Sequence, residues 1–428
     1  MNNTRNIVLF SISRLLSELM TSMFKFALSL YILDITGSAS MFSIVLACMY
    51  IPSVIVDIFA GVYIDRSDKK KVLVMCDLLS GVAILLFLVA FQFYPTHIGL
   101  FIGYALVLST LQALFSLGVS ASVPLLVSAD RVSAVNSSNQ SINALLNIAG
   151  PIVGAVAYSI MDLGTILLVN GIAFIASGIV NIFLVFKKSQ AAEEHKKPYW
   201  DSLKEVYQYI YQRSAIKYLL GVFIVTNFII APAMGLVLPF IIYQELKMSA
   251  HQLAFIEAAA SAGLIIGAIL ISLRKLSTFI SNKIFVLFQL QAVALVLWAF
   301  PKLPFVDIQA TGWITFGYII ILASTGMLMS MGNIPMVSYV QLYVPDHIRA
   351  SIFGVVSTVT TISVPIGMWI YGLLLEQVDF SYFMIGSSLI LFVVGYMAHR
   401  NKSLRDFFKA THEESKLASS EAASSKEV

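Results

Sequence analysis

Apolar stretches of about twenty residues, each ended by a short polar turn, repeat along this chain from near its start to residue 399. A hydrocarbon core about 30 Å thick needs about 17–25 apolar residues in a helix that crosses it. Backbone groups in lipid must also be satisfied within the segment, so each stretch predicts a spanning helix. The predicted spans are 8–33, 41–63, 73–94, 98–118, 138–161, 164–186, 216–243, 252–273, 284–301, 311–332, 350–375 and 381–399. Strands of a transmembrane barrel would instead alternate over segments of about ten residues.

Composition agrees with the pattern: 58% of the 428 residues are hydrophobic and 12% are charged. Soluble domains average roughly 45–50% apolar and 25% charged, so a water-soluble fold would lack a wettable surface. The fold class expected is an all-α membrane protein with twelve transmembrane helices in two six-helix bundles. Residues 1–186 would form the first bundle and 216–400 the second. The charged stretch 187–215 would be a cytoplasmic linker, and 401–428, ending in Ser, Ala and Glu, a disordered cytoplasmic tail. The first span contains Arg14, Glu18 and Lys25 and runs past the length of a signal core, so no cleavable signal is read there. Cys48 and Cys76 fall in apolar spans and read as small core residues.

Of the 27 lysines and arginines, 23 fall in the termini and alternate loops that share the amino-terminal side, and only Lys247 and Lys302 lie in the opposite loops. Such a bias places both termini and the central loop in the cytoplasm, in a cell inner (plasma) membrane. The net charge of +4 therefore orients the chain and gives no argument for nucleic acid. A weak repeat, 123–158 against 337–372, carries a polar turn with one arginine, a Ser/Thr/Asn-rich helix start and a proline beside or near glycine at Pro151 and Pro365. Internal repeats of this kind build many secondary transporters.

The stretch G-V-Y-I-D-R-S-D-K-K-K, Gly61 to Lys71, resembles the signature loop of the major facilitator superfamily, at the end of the second of twelve spans. The resemblance implies a cytoplasmic gate of Gly61, Asp65, Arg66, Lys70 and Lys71, with Asp57 as a further partner for the loop cations. Glycine permits close helix approach, and a charge cluster that forms in one conformation and parts in another can act as a latch. In span five, G-P-I-V-G-A resembles the family's antiporter motif through Gly150, Pro151 and Gly154, which implies export. The runs 35–40 and 123–141 resemble its macrolide-efflux branch. The second half keeps a basic pair at 272–278 but lacks the Asp-Arg.

Charge inside a membrane is rare and usually functional. Glu18 lies near the midplane and is expected to couple substrate movement to protons; an Arg14–Glu18 pair at i, i+4 would instead make it structural. Both readings stay open. Asp77 and Asp57 read as partners of the loop cations, with proton transfer at Asp77 as the other role. Lys25 reads as a snorkelling lysine and Glu257 as wetted by an outer vestibule. Asn136, Gln140, Asn143 and Asn147 recur at helical spacing in span five. With Asn227 they would either hydrogen-bond substrate or bond neighbouring helices. The aromatic wall for an apolar substrate is drawn from Phe24, Tyr31, Phe115, Phe228 and Trp298.

The dipeptide Gly-Lys does not occur, which excludes the phosphate-binding loop of ATPases. No zinc-protease, serine-hydrolase or Cys/His metal pattern occurs either, so no enzyme, cofactor or metal is expected. The expected function is proton-coupled export of a small hydrophobic or amphipathic compound, macrolide-like by the resemblance, by a monomer with lipid, protons and substrate as its partners. A lipid or siderophore exporter, an importer, and a transport-dead receptor or scaffold are the rivals.

Overall fold

The structure is a computed structural model, and it describes residues 3–126, 129–186, 199–272, 283–304, 306–344 and 346–408. Among these the regular elements are helices: α1 (Asn3–Thr36), α2 (Ala39–Arg66), α3 (Lys69–Phe93), α4 (Ile98–Leu126), α5 (Ala129–Ile160), α6 (Leu163–Ile182) and α7 (Tyr199–Gln212). They continue with α8 (Ser214–Pro232), α9 (Ala250–Ser272), α10 (Ile284–Val296), α11 (Thr311–Tyr343), α12 (Asp346–Leu375) and α13 (Phe380–Arg400). Eleven helical stretches among the described residues are long and apolar enough to cross a membrane. The predicted fifth span lies in α5, whose apolar part, Ile148–Ile160, is shorter. The helix is nevertheless continuous for 32 residues, and it carries Pro151 inside it as α12 carries Pro365.

The chain divides into two compact units. The first comprises Met1–Glu193, Ala231–Ala258 and Val364–Val378. In it α3 packs on α6, α2 on α4, and α1 on both α5 and α6. Small residues set these approaches. A Cβ on Gly81 would meet Ile175 Cγ1 at 2.6 Å, and one on Gly178 would meet Leu78 side-chain atoms at 2.8 Å. Phe10, Leu73, Cys76, Phe115, Val119, Leu126 and Leu184 form an apolar core at the amino-terminal end. Asn6 ties that end together: its amide donates to the Leu126 and Val185 carbonyls at 3.0 and 2.7 Å and accepts from Val185 N–H at 3.2 Å.

After α8 the chain turns π-helical over Ala233–Val237 and Phe240–Glu245. Pro232 and Pro239 begin these stretches, and neither has an N–H to give to the regular ladder. The wider turn then continues, as in the Leu246 N–H to Ile241 carbonyl bond of 2.9 Å.

The second unit comprises Glu194–Ile230, Ala259–Ser363 and Asp379–Val428. Its core joins Val206, Tyr209 and Ile210 of α7 to Ile216 and Leu219 of α8, Phe285 and Phe288 of α10, Met336 and Val340 of α11, and Phe407 and Phe408. Within the stretch read as the linker, α7 is thus an amphipathic helix. Tyr207 and Tyr211 are exposed, Tyr209 is buried, and the Arg213 guanidinium lies 3.6 Å from the Tyr209 ring centre. Helices α9 and α11 meet backbone to backbone. A Cβ on Gly263 or Gly326 would strike the carbonyl of Ala323 or Ala260, and one on Gly267 would lie 2.5 Å from that of Met327. Gly263 and Gly267 form a G-x-x-x-G pair.

Candidate functional site

Asp77 sits on α3, 1% exposed, where α1 and α6 pack against it. Its carboxylate accepts from Ser177 Oγ at 2.5 Å, from Asn181 Nδ2 at 2.9 Å and from Ser17 Oγ at 3.2 Å. Ser13 closes the cage by donating to Asn181 Oδ1 at 2.7 Å. Every donor is neutral. Among the described residues these hydroxyls and the amide, and none of the loop cations, are the hydrogen-bond donors to Asp77. A carboxyl group enclosed by hydroxyls and an amide can be accommodated ionised, or protonated with its hydroxyls reoriented.

On α1, Arg14 Nε donates to Glu18 Oε1 at 2.6 Å, so the i, i+4 pair forms. Arg14 is buried and Glu18 is half-buried. The charge-assisted bond gives Glu18 a fixed partner on its own helix.

A cavity of about 260 Å³ lies within the first unit, lined chiefly by α1, α2 and α4. Thr21, Phe24 and Lys25 line it from α1, Met49, Tyr50 and Ser53 from α2, and Tyr104 and Gln112 from α4, with Asn170 of α6 as well. Phe24 packs edge-on to Tyr104 with ring centres 5.3 Å apart, and Phe87 backs Tyr104 at 4.2 Å. Gln112 Nε2 donates to Thr21 Oγ1 at 2.8 Å, and Thr21 Oγ1 in turn donates to the Ser17 carbonyl at 2.8 Å. The cavity and the Asp77 cage are therefore one helical turn apart on α1.

The end of this unit that carries Gly37 is held by acidic groups. Gly37 turns the chain between α1 and α2 in the left-handed region, at φ 61°. Asp34 accepts from the hydroxyls of Tyr158 and Tyr243, the latter at 3.1 Å. Glu376 accepts from the Ser38 hydroxyl and from the Ser40 N–H at 3.1 Å. These bonds, the Ser38 hydroxyl first and Ser40 next, hold the Glu376 carboxyl below the usual carboxylate range. Gly37, Ser38 and Ser40 fall in the run 35–40 that carries the family resemblance, whereas Asp34, Tyr158, Tyr243 and Glu376 have no local pattern that marks them, because their partners are distant in the sequence.

The signature stretch is more helical than expected: α2 runs through Arg66, only Ser67 and Asp68 turn, and α3 begins at Lys69. Asp68 caps α3, accepting from the N–H groups of Lys70 and Lys71 at 3.0 and 3.3 Å. The side chains of Asp57, Asp65 and Arg66, and the surroundings of Gly61, lie outside the described residues, as do the side chains of Asn136, Gln140, Asn143 and Asn147. Gly150 and Gly154 face α1: a Cβ on Gly150 would lie 2.5 Å from Ser22 Cβ, and one on Gly154 would lie 2.9 Å from the Met23 carbonyl oxygen.

Among the aromatic candidates, Phe24 alone lines this cavity. Phe115 lies in the apolar core. Trp298 is fully buried, with Tyr318 Oη donating to its carbonyl at 2.7 Å. Tyr31 packs on Phe91 and Phe101 and donates to the Pro95 carbonyl at 3.0 Å. Phe228 is half-buried in α8. Asn227 borders a separate, mostly apolar cavity of about 230 Å³ in the second unit and donates to the Phe223 carbonyl at 2.9 Å. Glu257 is half-buried in α9, with no hydrogen-bond partner among the described residues. Lys25 lines the cavity, eleven residues before the end of α1.

The long apolar helices define a multi-pass membrane protein, and comparison with known proteins gives its class as a membrane transporter. The model of the Major Facilitator Superfamily matches residues 10–368, and the chain belongs to that family. It is 22% identical over 383 residues to macrolide efflux protein A of Streptococcus pyogenes, covering 88% of this chain and 91% of that protein. Among solved structures, a D-xylose-proton symporter matches with a TM-score of 0.69 at 12% identity, covering 92% of this chain and 96% of the other. A bacterial homologue of the iron transporter ferroportin matches at 0.66 and 15%, covering 94% and 100%. The chain is a multi-pass membrane transporter and not an enzyme.

Proposed function

We propose that this protein exports a small amphipathic compound by proton antiport across the plasma membrane, with both termini and the stretch 187–215 in the cytoplasm. The observation that carries the reading is the Asp77 cage, a carboxyl 1% exposed and held by three neutral donors, one helical turn along α1 from a cavity. Loading a proton onto Asp77 rearranges the hydroxyls of Ser17 and Ser177. Ser17 belongs to the same turn of α1 as Thr21, so a shift of that turn reaches the cavity wall. The Arg14–Glu18 pair supports a structural role for Glu18. Similarity to a macrolide efflux protein and the Gly150-Pro151 motif support export, and the neutral part of the cavity wall suits an apolar body.

Reconstituted protein under an imposed pH gradient provides the test. Asp77→Asn should lose gradient-driven accumulation while still exchanging substrate across the bilayer without a gradient, because a permanently neutral cage still permits movement. Glu18→Gln should retain the drive. Wild-type gradient response in Asp77→Asn would remove Asp77 from coupling, and loss of drive confined to Glu18→Gln would move the coupling to the Arg14–Glu18 pair.

A further inference from the structure

Among the described residues Lys25 is the one charged side chain that lines the cavity in the first unit, and it is exposed there. It has no ion-pair partner among the described residues, yet it lies about 16 Å from the end of α1 at ~1.5 Å per residue, within the membrane-spanning part. An unpaired charge there is costly unless something compensates it, and such residues mark ligand sites. Two further groups in the wall are incomplete. The Tyr104 hydroxyl and the Asn170 Oδ1, on residues 5% and 1% exposed, are buried and make no hydrogen bond among the described residues. Buried polar atoms without partners are rare in native proteins, and each needs an explanation, a ligand or water among them. Around these polar groups the wall is apolar and aromatic: Phe24, Met49 and Tyr50.

We propose that this cavity binds the head of a small anionic amphiphile, an acid with an apolar body, whose acidic group is taken by the Lys25 ammonium and the Tyr104 hydroxyl. A hydroxyl or amide N–H on the same molecule would satisfy Asn170 Oδ1. At about 260 Å³ the cavity is below the roughly 300–1,000 Å³ of sites for drug-sized ligands, so it takes a compact molecule or one end of a longer one. A basic drug would place its cation beside Lys25 with no carboxylate lining the cavity to offset the repulsion. The physiological use of the site rests on the exporter reading; binding itself does not.

Equilibrium binding to the full chain in neutral-lipid nanodiscs, without a gradient, separates the two. The probes are a dansyl-tagged medium-chain fatty acid and the matched alcohol and amine. The acid should bind tightest. Lys25→Gln should weaken the acid by about 10- to 100-fold, the loss of one charge-assisted contact, and leave the alcohol unchanged. Lys25→Arg should restore most of the acid's affinity. Tyr104→Phe should weaken the acid without lowering the melting temperature, because its hydroxyl has no protein partner to lose. Equal binding of acid and alcohol, preference for the amine, or equal weakening of all probes by Lys25→Gln would overturn the proposal. So would displacement of the acid by phosphatidylglycerol added to the discs, which would assign the cation to a lipid headgroup. Loss of antiport with selective acid binding intact would refute the exporter reading and leave this one standing.

Discussion

Gly154→Ala adds one methyl group where α5 crosses α1, and two effects of opposite sign compete. Alanine is the better helix former by up to about 1 kcal/mol. The new Cβ, however, would lie 2.9 Å from both the Met23 carbonyl oxygen and Phe26 Cβ, with Phe26 Cδ1 at 3.1 Å. Comfortable separations are ~3.5–4.0 Å, so the helices must part by about half an ångström or more. The first two atoms belong to the backbone and to the root of a side chain, and no rotamer change moves them away. Overpacking of this kind costs about 1–3 kcal/mol, which outweighs the propensity gain. Gly103 on α4 is the control, since a Cβ there meets nothing within 4 Å and only the propensity gain remains. Thermal unfolding in detergent, followed by loss of the monodisperse peak, should place Gly103→Ala above wild type and Gly154→Ala below it. A Gly154→Ala protein as stable as Gly103→Ala would refute the close-approach account of the glycine–proline motif. It would also leave the register of α1, which carries Ser17, Thr21 and Lys25, without that constraint.

Two further outcomes follow from the helix ends. Asp379 caps α13 through the Ser381 N–H at 2.9 Å and pairs with Lys302 at 2.9 Å; burial opposes its ionisation, but Ser381 and Lys302 outweigh it and hold the carboxyl down at about 2. Its contribution is complete above the ordinary aspartate range and is lost as pH falls toward 2. Asp379→Ala should cost about 0.5–2 kcal/mol in melts above pH 5, and Asp379→Asn, which keeps a capping oxygen, no more than about 1 kcal/mol for a half-exposed ion pair. At the Gly37 end, Tyr158→Phe with Tyr243→Phe leaves Asp34 without its two hydroxyl donors, and cysteine accessibility at Ser38 should rise; unchanged labelling would show that those bonds do not hold that end.

Spans, topology bias and family were legible in the sequence because lipid imposes its constraint locally. Each stretch must by itself be long, apolar and hydrogen-bonded within, and a helix such as Lys69–Phe93 satisfies that without reference to its neighbours. The i, i+4 spacing of Arg14 and Glu18 announced their pair for the same reason. What lies across a helix pair has no such local signature. The sequence showed that Asp77 is charged and intramembrane, but Ser177 and Asn181, about 100 residues away, had to be brought to it by α3–α6 packing before the cage existed. Likewise the period of 3.6 put Glu18, Thr21 and Lys25 on one face of α1. Only the arrangement of α2, α4 and α6 decided that this face meets a cavity, with Tyr104 and Asn170 beside the lysine, rather than lipid. The aromatic candidates diverge for that reason: Phe24, Phe115 and Trp298 look alike in an apolar run, and tertiary packing alone sorted one to a cavity wall and two to the core.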